Sequence, residues 1–352
     1  MTDKKKIRVL VVDDSAFMRI AVKRTLESDP AIEVIGQGKD GAEAVQLVEQ
    51  LQPDVVTMDF NMPRMNGVEA LRAIFAKRPV PVIMLSAHTQ QGAQETLDAL
   101  AAGALDFVPK PDGEVSTDLS GVRDDLLRKV KGAARSRPSV VPVAPPSPMR
   151  AVAPKTERVM RSSLPGDAPL LVIAISTGGP AALERVIPRL PTSFGAGVVI
   201  VQHMPKAFTK ALASRLDGIS ALSVREAEDG DVPVPGQVLI APGDRHLTLD
   251  TSGRVKLLDS PPVHGCRPAA DVTLQAIARS FGARTTVLVM TGMGRDGALG
   301  AQALKAAGGK VLAQDEASSV VFGMPKAVIE RGLADQVIAL DRIAPTLIER
   351  FG

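Results

Sequence analysis

The sequence predicts two α/β domains, each built around a mainly parallel sheet and separated by a proline-rich linker. The 352 residues suffice for two domains. Short apolar runs alternate with helical patterns in both halves of the chain. Residues 138–165 contain seven prolines, counting Pro138 and Pro165, and show no helix or strand periodicity. We therefore place the first domain at residues 6–130, the linker at 136–167 and the second domain at 168–352.

The N-terminal domain repeats a strand-then-helix pattern five times. Its apolar runs are IRVLVV, IEVIGQ, DVVTMDF, VPVIMLSA and LDFVPK, and a helical pattern follows each of them. Apolar strands alternating with helices are typical of a parallel sheet that is covered on both faces. In such sheets the functional groups lie at the carboxyl ends of the strands.

The C-terminal domain resumes the same alternation with an insertion. Its apolar runs are LLVIAIS, GVVIVQH, VLIAPGD, TVLVMTGMG, GKVLAQD and QVIAL. Between the third and fourth runs, HLTLDTSGRVKLLDS predicts a β-hairpin. This pattern predicts a doubly wound, mostly parallel α/β domain with a β-hairpin insertion.

Composition excludes several classes of protein. The chain has no Trp, no Tyr and no basic recognition helix, which argues against nucleic acid as a partner. No apolar stretch approaches eighteen residues, so we expect no insertion into a membrane. The single cysteine, Cys266, can form no intramolecular disulfide and favours a cytoplasmic location. His88, His246 and His264 show no metal-ligand spacing with one another or with Cys266, which favours structural or surface roles for them.

Three carboxylates follow strands of the N-terminal domain. Asp13 and Asp14 follow the first strand and Asp59 ends the third, so all three should meet at one edge of the sheet. Such a group suits Mg²⁺, which binds through carboxylates and a phosphate. Ser86 ends the fourth strand and Lys110 follows the fifth, where they could bind phosphoryl oxygens. For any single residue, a helix cap or a solvated loop position is the alternative.

Taken together, these segments resemble response-regulator receiver domains over about residues 6–130, with the flavodoxin-like (βα)₅ fold that this implies. The resemblance is carried by VDDS at 12–15, MDFNMPRMNG at 58–67, MLSA at 84–87 and FVPKP at 107–111. It implies that Asp59 is the phosphoacceptor. It implies Mg²⁺ bound by Asp14 and Asp59, with Asp13 nearby and the carbonyl of Asn61 as a further ligand. Ser86 and Lys110 would sense the phosphoryl group.

A serine lies on a predicted strand-to-helix turn in the C-terminal domain. In LLVIAISTGGPAALERVIP an apolar strand ends at Ser176, two glycines follow shortly, and a helix begins near Pro180. This arrangement exposes a hydroxyl beside backbone N–H groups, as acyl transfer requires. A phosphate-binding turn or a simple N-cap remains an equally good interpretation of STGG alone.

His203 and Asp296 extend this hypothesis. His203 ends the strand after Ser176, and Asp296 lies in the glycine-rich loop after TVLVMTGMG, so the three could form a Ser-His-Asp triad. Asp244 and Asp271 also lie near strand or loop ends, and spacing alone does not choose among the three acids.

The ordered segments ISTGGP, VQHMP, EAEDG, APGDRH, RPAAD, TGMGRDG and QDEASSVVFGMP resemble chemotaxis protein-glutamate methylesterases of the CheB type. The resemblance implies Ser176 as nucleophile, His203 as general base and then acid, and Asp296 as the orienting carboxylate. It implies the Met293 N–H, and with it the Thr177 N–H, as oxyanion donors.

That resemblance also implies what the chain acts on. Glutamyl γ-methyl esters of methyl-accepting chemotaxis receptors would be hydrolysed to release methanol, and receptor glutamines would be deamidated. A chemotaxis histidine kinase would be the phosphodonor. Mg²⁺ would serve receiver phosphorylation, and ester hydrolysis would need no cofactor.

Joining a receiver to an esterase predicts gating. The unphosphorylated receiver would cover the Ser176 crevice, and phosphorylation of Asp59 would disfavour that docking. A phosphorylation-dependent binding protein that does not turn over substrate is the competing hypothesis, whereas a DNA-binding regulator lacks a recognition helix.

Overall fold

The computed structural model describes residues 5–86, 89–110, 122–136 and 168–352. The chain divides into two compact units, with the boundary between Pro145 and Pro146. The predicted linker lies outside the described residues apart from Ser136, as does His88. The predicted domain boundaries therefore stay predictions.

The N-terminal unit alternates strands and helices. Its elements are β1 (Ile7–Val12), α1 (Ala16–Glu27), β2 (Ile32–Gly38), α2 (Gly41–Leu51), β3 (Val55–Asp59), α3 (Gly67–Lys77), β4 (Val82–Ser86), α4 (Gln90–Ala101), β5 (Asp106–Pro109) and α5 (Arg123–Ala133). All described strand pairs are parallel, in the order β2-β1-β3-β4-β5. The predicted fold of this domain is confirmed.

The C-terminal unit is a larger α/β structure. Its elements are β6 (Leu170–Ile175), α6 (Gly179–Val186), β7 (Gly197–Gln202), α7 (Lys206–Ile219), β8 (Ser223–Glu226), β9 (Gln237–Ile240), β10 (His246–Leu249), β11 (Val255–Leu258), α8 (Ala270–Phe281), β12 (Thr285–Val289), α9 (Ala298–Ala306), β13 (Lys310–Gln314), α10 (Met324–Ile329), β14 (Gln336–Ile338) and α11 (Leu340–Phe351). Its main sheet has seven strands in the order β14-β13-β12-β6-β7-β9-β8, and all of its described pairs are parallel.

The predicted hairpin is confirmed, since β10 and β11 pair in antiparallel fashion. Strand β8 was not predicted. It is short and lies at the edge of the main sheet, and its sequence SVRE is only partly buried, so it lacks the apolar run that marks the inner strands.

The central strands of this sheet explain where a site can form. Every side chain of β6 is 0% exposed, and burial of each of its Val, Leu and Ile side chains stabilises the fold by about 1.5–3 kcal/mol. Strand β6 lies between β7, the next strand in the chain, and β12, which comes much later in the chain. A crevice is expected at the carboxyl end of a strand where the order reverses in this way. Residue Ser176 directly follows that strand.

Among the described residues, no helix is both long enough and apolar enough to cross a membrane.

Candidate functional site

The turn after β6 holds Ser176 in a fixed, buried position. Its backbone N–H donates to the Thr291 carbonyl at 3.0 Å, and its own carbonyl accepts from the Gly179 N–H at 2.7 Å. Gly178 has φ +77°, and a Cβ there would lie 2.7 Å from Val320 Cβ. Only glycine fits this turn without strain. The side chain of Ser176 is therefore presented at the end of a buried strand.

His203 occupies the equivalent position on the neighbouring strand. Ile175 and Gln202, the last residues of β6 and β7, are register partners, so Ser176 and His203 come next on two adjacent strands. The His203 N–H donates to the Ile175 carbonyl at 3.2 Å and extends the ladder by one residue. Adjacent strands lie about 4.8 Å apart, which brings the two residues together.

Asp296 binds the imidazole of His203. Asp296 Oδ2 lies 2.7 Å from His203 Nε2. The same oxygen accepts from the Ala270 N–H at 2.6 Å, and Oδ1 accepts from the N–H groups of Asp271 and Gly297 at 2.9 Å each. Burial alone would raise the pKa of Asp296, but His203 and these backbone donors lower it below its usual value. Asp296 is therefore ionised beside the imidazole.

The choice among the three candidate acids follows from these contacts. Asp244 is exposed, and Asp271 pairs with His264 instead. The structure thus pairs Asp296 with His203 and places Ser176 and His203 at the ends of adjacent strands, although no sequence spacing relates the three residues.

The second ring nitrogen of His203, Nδ1, does not hydrogen-bond to Asp296. His203 Nδ1 is buried and has no hydrogen-bond partner among the described residues. Burial lowers the pKa of the imidazole, but the hydrogen bond to Asp296 and the interaction with the Cys266 thiol outweigh burial and raise the pKa to about 10. Nδ1 is the ring nitrogen that Asp296 does not hold, and Cys266 is a neighbour of the imidazole that its sequence position did not reveal.

A second histidine lies behind the first carboxylate. His264 Nε2 is 3.0 Å from Asp271 Oδ2, and ligand atoms of His264, Asp271 and Asp296 lie within 4.8 Å of one another. Burial first of all, and then Asp296, raise the pKa of Asp271. Each oxygen of Asp296 already accepts two hydrogen bonds. We interpret the group as a hydrogen-bond network around Asp296, which the spacing of these residues did not predict.

The loop after β12 approaches the nucleophile from the other side. A Cβ on Gly292 would lie 2.8 Å from Ser176 Cβ, and Met293 follows directly. Thr291 Oγ1 donates to the Thr177 carbonyl at 2.9 Å and ties this loop to the turn. The expected oxyanion donors, the N–H groups of Met293 and Thr177, thus belong to the two segments that meet at Ser176. Their role stays a prediction.

The receiver-like unit has its own cluster at the carboxyl ends of β1 and β3. Carboxylate oxygens of Asp13, Asp14 and Asp59 lie within 4.8 Å of one another. Lys110 Nζ lies 2.9 Å from Asp13 Oδ2 and 2.8 Å from Asp59 Oδ1. The alternative role of the aspartates as caps of α1 does not apply, because the cap is Ser15, whose hydroxyl accepts from the Met18 N–H.

This cluster fits Mg²⁺. Its donor set consists of hard carboxylate oxygens, and Asp14 is exposed, which leaves room for water ligands. Asn61, two residues after Asp59, is exposed in the loop between β3 and α3, and its predicted role as a carbonyl ligand stays a prediction.

The ionisation of Asp59 is disfavoured without a cation. Burial of this carboxyl, which is 9% exposed at its side chain, raises its pKa to about 6. Lys110 opposes the shift and Asp13 adds to it. A divalent cation would favour the ionised, nucleophilic form.

Ser86 is turned toward α4. Its Oγ donates to the Gly92 carbonyl at 3.1 Å and lies 2.5 Å from Thr96 Oγ1. Both side chains are buried, at 1% and 0% exposure. The predicted role of Ser86 in sensing a phosphoryl group requires these contacts to change, and Thr96 is a partner that the sequence pattern did not single out.

Two folds and two sites define the class of protein. The N-terminal unit is a receiver-type domain with an acidic, lysine-containing cluster, and the C-terminal unit is a doubly wound domain with a Ser-His-Asp constellation. The family model described as "CheB methylesterase" matches residues 171–347, and that described as "Response regulator receiver domain" matches residues 9–116. The chain belongs to the CheB methylesterase family.

Several relatives match nearly the whole chain. A protein-glutamate methylesterase/protein-glutamine glutaminase of Symbiobacterium thermophilum is 48% identical over 98% of this chain and 97% of its own length. A protein of the same name from Thermotoga maritima is 46% identical over 99% of both chains. The crystal structure of the Thermotoga maritima CheB methylesterase catalytic domain is 49% identical, with a TM-score of 0.51, over 52% of this chain and 98% of that structure.

Proposed function

We propose that this chain is a phosphorylation-activated serine esterase that hydrolyses glutamyl γ-methyl esters on methyl-accepting chemotaxis receptors. The observation that carries the proposal is the 2.7 Å contact between Asp296 and His203, with His203 placed beside Ser176 at adjacent strand ends. The relatives that match nearly the whole chain are named protein-glutamate methylesterase/protein-glutamine glutaminase, which supports the same activity. The methanol released and the glutamate regenerated would return a receptor to its unmethylated state.

The first half of the reaction forms an acyl-enzyme. Ser176 Oγ attacks the γ-carbonyl carbon of the ester while its proton passes to His203 Nδ1, the nitrogen not held by Asp296. Asp296 stabilises the resulting imidazolium. The Met293 and Thr177 N–H groups donate to the oxyanion. The intermediate collapses, the bond to the methoxy oxygen breaks, and that oxygen leaves as methanol with the proton from His203.

The second half restores the enzyme. Water attacks the acyl carbon and gives a proton to His203, and the second intermediate expels Ser176 Oγ, which takes the proton back. The product is the glutamyl carboxylate. With a glutamine as substrate, the same sequence expels ammonia in place of methanol, so deamidation needs no additional group.

The receiver unit regulates this chemistry. A carboxylate oxygen of Asp59 attacks the phosphorus of a donor, in the cell the phosphohistidine of a histidine kinase. The bond from phosphorus to the histidine nitrogen breaks and the imidazole of the kinase leaves, while Lys110 and Ser86 bind the phosphoryl oxygens. Mg²⁺ held by Asp14 and Asp59, with Asp13 nearby and the Asn61 carbonyl as a further ligand, would neutralise the charge on the transferring group. The ester hydrolysis itself uses only side chains and backbone groups. We assign both reactions to the cytoplasm, where the single Cys266 stays reduced.

The test is methanol release from methylated receptor membranes by the full chain. Wild type, Ser176→Ala and Asp59→Asn are compared with and without Mg²⁺ and a small phosphodonor such as acetyl phosphate. We expect release that depends on Ser176 and rises with phosphodonor only when Asp59 is present. Ammonia release from receptors with glutamine at the same sites measures deamidation.

No methanol from the wild type in any condition would contradict the esterase and favour a binding protein that does not turn over. Equal release with and without phosphodonor would contradict the gating alone.

A further inference from the structure

Gln202 is a polar residue at the end of an otherwise apolar buried strand. It is the last residue of β7, is 2% exposed, and follows the run Gly197–Val201. Its side-chain Nε2 donates to the Ser176 carbonyl at 3.1 Å and to the His203 carbonyl at 3.3 Å. One amide nitrogen with two hydrogens thus joins the backbone of the proposed nucleophile to that of the proposed base.

We infer that Gln202 is a positioning residue that holds Ser176 and His203 at the separation needed for proton transfer. The inference rests on the proposed function and adds a residue to it. Gln202 touches no reacting atom. It acts on the two peptide groups from which the reacting side chains extend.

The need for such a link follows from where the ladder ends. The last backbone bond between the two strands at this edge runs from the His203 N–H to the Ile175 carbonyl. Beyond it, the backbone N–H of Gly179, in the same turn, is the one backbone donor to the Ser176 carbonyl among the described residues, so backbone hydrogen bonds do not tie that turn to β7. Gln202 provides the missing cross-link one residue further on.

Stability alone does not account for this residue. Gln202 Oε1 is buried without a hydrogen-bond partner among the described residues, and a buried unsatisfied acceptor destabilises a fold. Gly179 leaves the space this oxygen needs, since a Cβ there would lie 2.0 Å from Oε1. The four residues before Gln202 in β7, Val198–Val201, are aliphatic. An aliphatic residue at position 202 would likewise leave no unsatisfied oxygen.

The test compares Gln202→Met with Gln237→Met in the full chain, with Mg²⁺ and phosphodonor present. Methionine keeps the length of the side chain and removes both donors. Gln237 is a matched control, because it is a buried glutamine of the same sheet that begins β9, at the edge opposite the site. A third variant, Gln202→Glu, keeps the shape and replaces the donor by an acceptor.

Three quantities are measured for each variant: kcat and KM for methanol release, the rate at which a fluorophosphonate labels Ser176, and the urea midpoint of unfolding. We expect Gln202→Met and Gln202→Glu to lower kcat and the labelling rate by about 10- to 100-fold, with KM changed less than about twofold. Gln237→Met should stay within about twofold of wild type in both rates, because a substitution far from the site affects only folding.

The inference is overturned if either Gln202 variant keeps both rates within twofold of Gln237→Met, or if the lost rate only follows a lost folded fraction. Should the wild type label rapidly but release no methanol, the proposed function fails and the labelling rates alone decide the role of Gln202. Should the wild type neither label nor release methanol, both fail.

Discussion

Asp296→Asn changes the proposed triad at its most buried member while keeping its shape. The carboxylate accepts four hydrogen bonds, two on each oxygen. An asparagine has one oxygen, and its best orientation turns that oxygen to the N–H groups of Asp271 and Gly297. The NH₂ group then donates to His203 Nε2, which forces the ring proton onto Nδ1. His203 can no longer accept the proton of Ser176 at that nitrogen.

We expect kcat for methanol release to fall about 10⁴-fold, as it does when an amide imposes the wrong tautomer in other Ser-His-Asp triads. Only the Ala270 N–H loses its acceptor, so the free energy of unfolding should fall by about 1–3 kcal/mol. Methanol release and urea denaturation on the same preparation separate the two effects. The fold should survive.

The control is Asp244→Asn. Asp244 is the exposed candidate acid, and its φ of +62° lies in the left-handed region that asparagine tolerates well. Its rate and stability should equal those of the wild type. A rate for Asp296→Asn within tenfold of wild type would refute the assignment of Asp296 and the tautomer argument with it.

Three further predictions concern Cys266, Asp59 and Thr96. Cys266→Ala removes an interaction that raises the pKa of His203. The rise of kcat/KM with pH, which reports loss of the imidazolium proton, should therefore shift to lower pH. An unchanged midpoint of that rise would contradict the prediction. Asp59→Asn should abolish stimulation by phosphodonor and, because burial raises the Asp59 pKa to about 6, stabilise the receiver by up to about 3 kcal/mol at pH 7. The free energy of unfolding of the wild type should fall as pH rises from about 4 to 6, because Asp59 ionises in the unfolded state first, and that of Asp59→Asn should not show this fall. Urea midpoints of the two proteins that change in parallel across that range would contradict the prediction. Thr96→Val removes one contact between Ser86 and α4 and leaves the hydrogen bond from Ser86 Oγ to the Gly92 carbonyl, so methanol release without phosphodonor should rise by up to about fivefold; a basal rate equal to wild type would show that the Thr96 contact does not restrain the switch.

Much of the fold could be predicted because strands and helices here have strong local signals. The fully buried strands β6 and β7 are continuous apolar runs, and parallel strands necessarily bring their carboxyl ends to one edge. The rule on strand ends placed the candidate residues of both sites. Recognition of strands from apolar runs failed for β8, because its sequence is partly polar.

Residues that act through a neighbour were harder to find. Cys266 interacts with His203, and His264 contacts Asp271. Both interactions depend on the course of the irregular segment before α8, which no hydrophobic periodicity predicts. The sequence does carry a signal for Gln202, because a glutamine ends an apolar strand beside a candidate histidine and buried polar groups are usually hydrogen-bonded.

The amino-acid sequence by itself determined the two-domain α/β architecture, the strand ends that carry Ser176, His203 and Asp59, and the family resemblance. Local hydrophobic pattern and strand order suffice for these. Tertiary structure decided which of three acids pairs with His203, which ring nitrogen it holds, and that Ser86 faces α4. Those choices depend on hydrogen bonds between segments distant in sequence, whose geometry exists only once the sheets and their loops are packed.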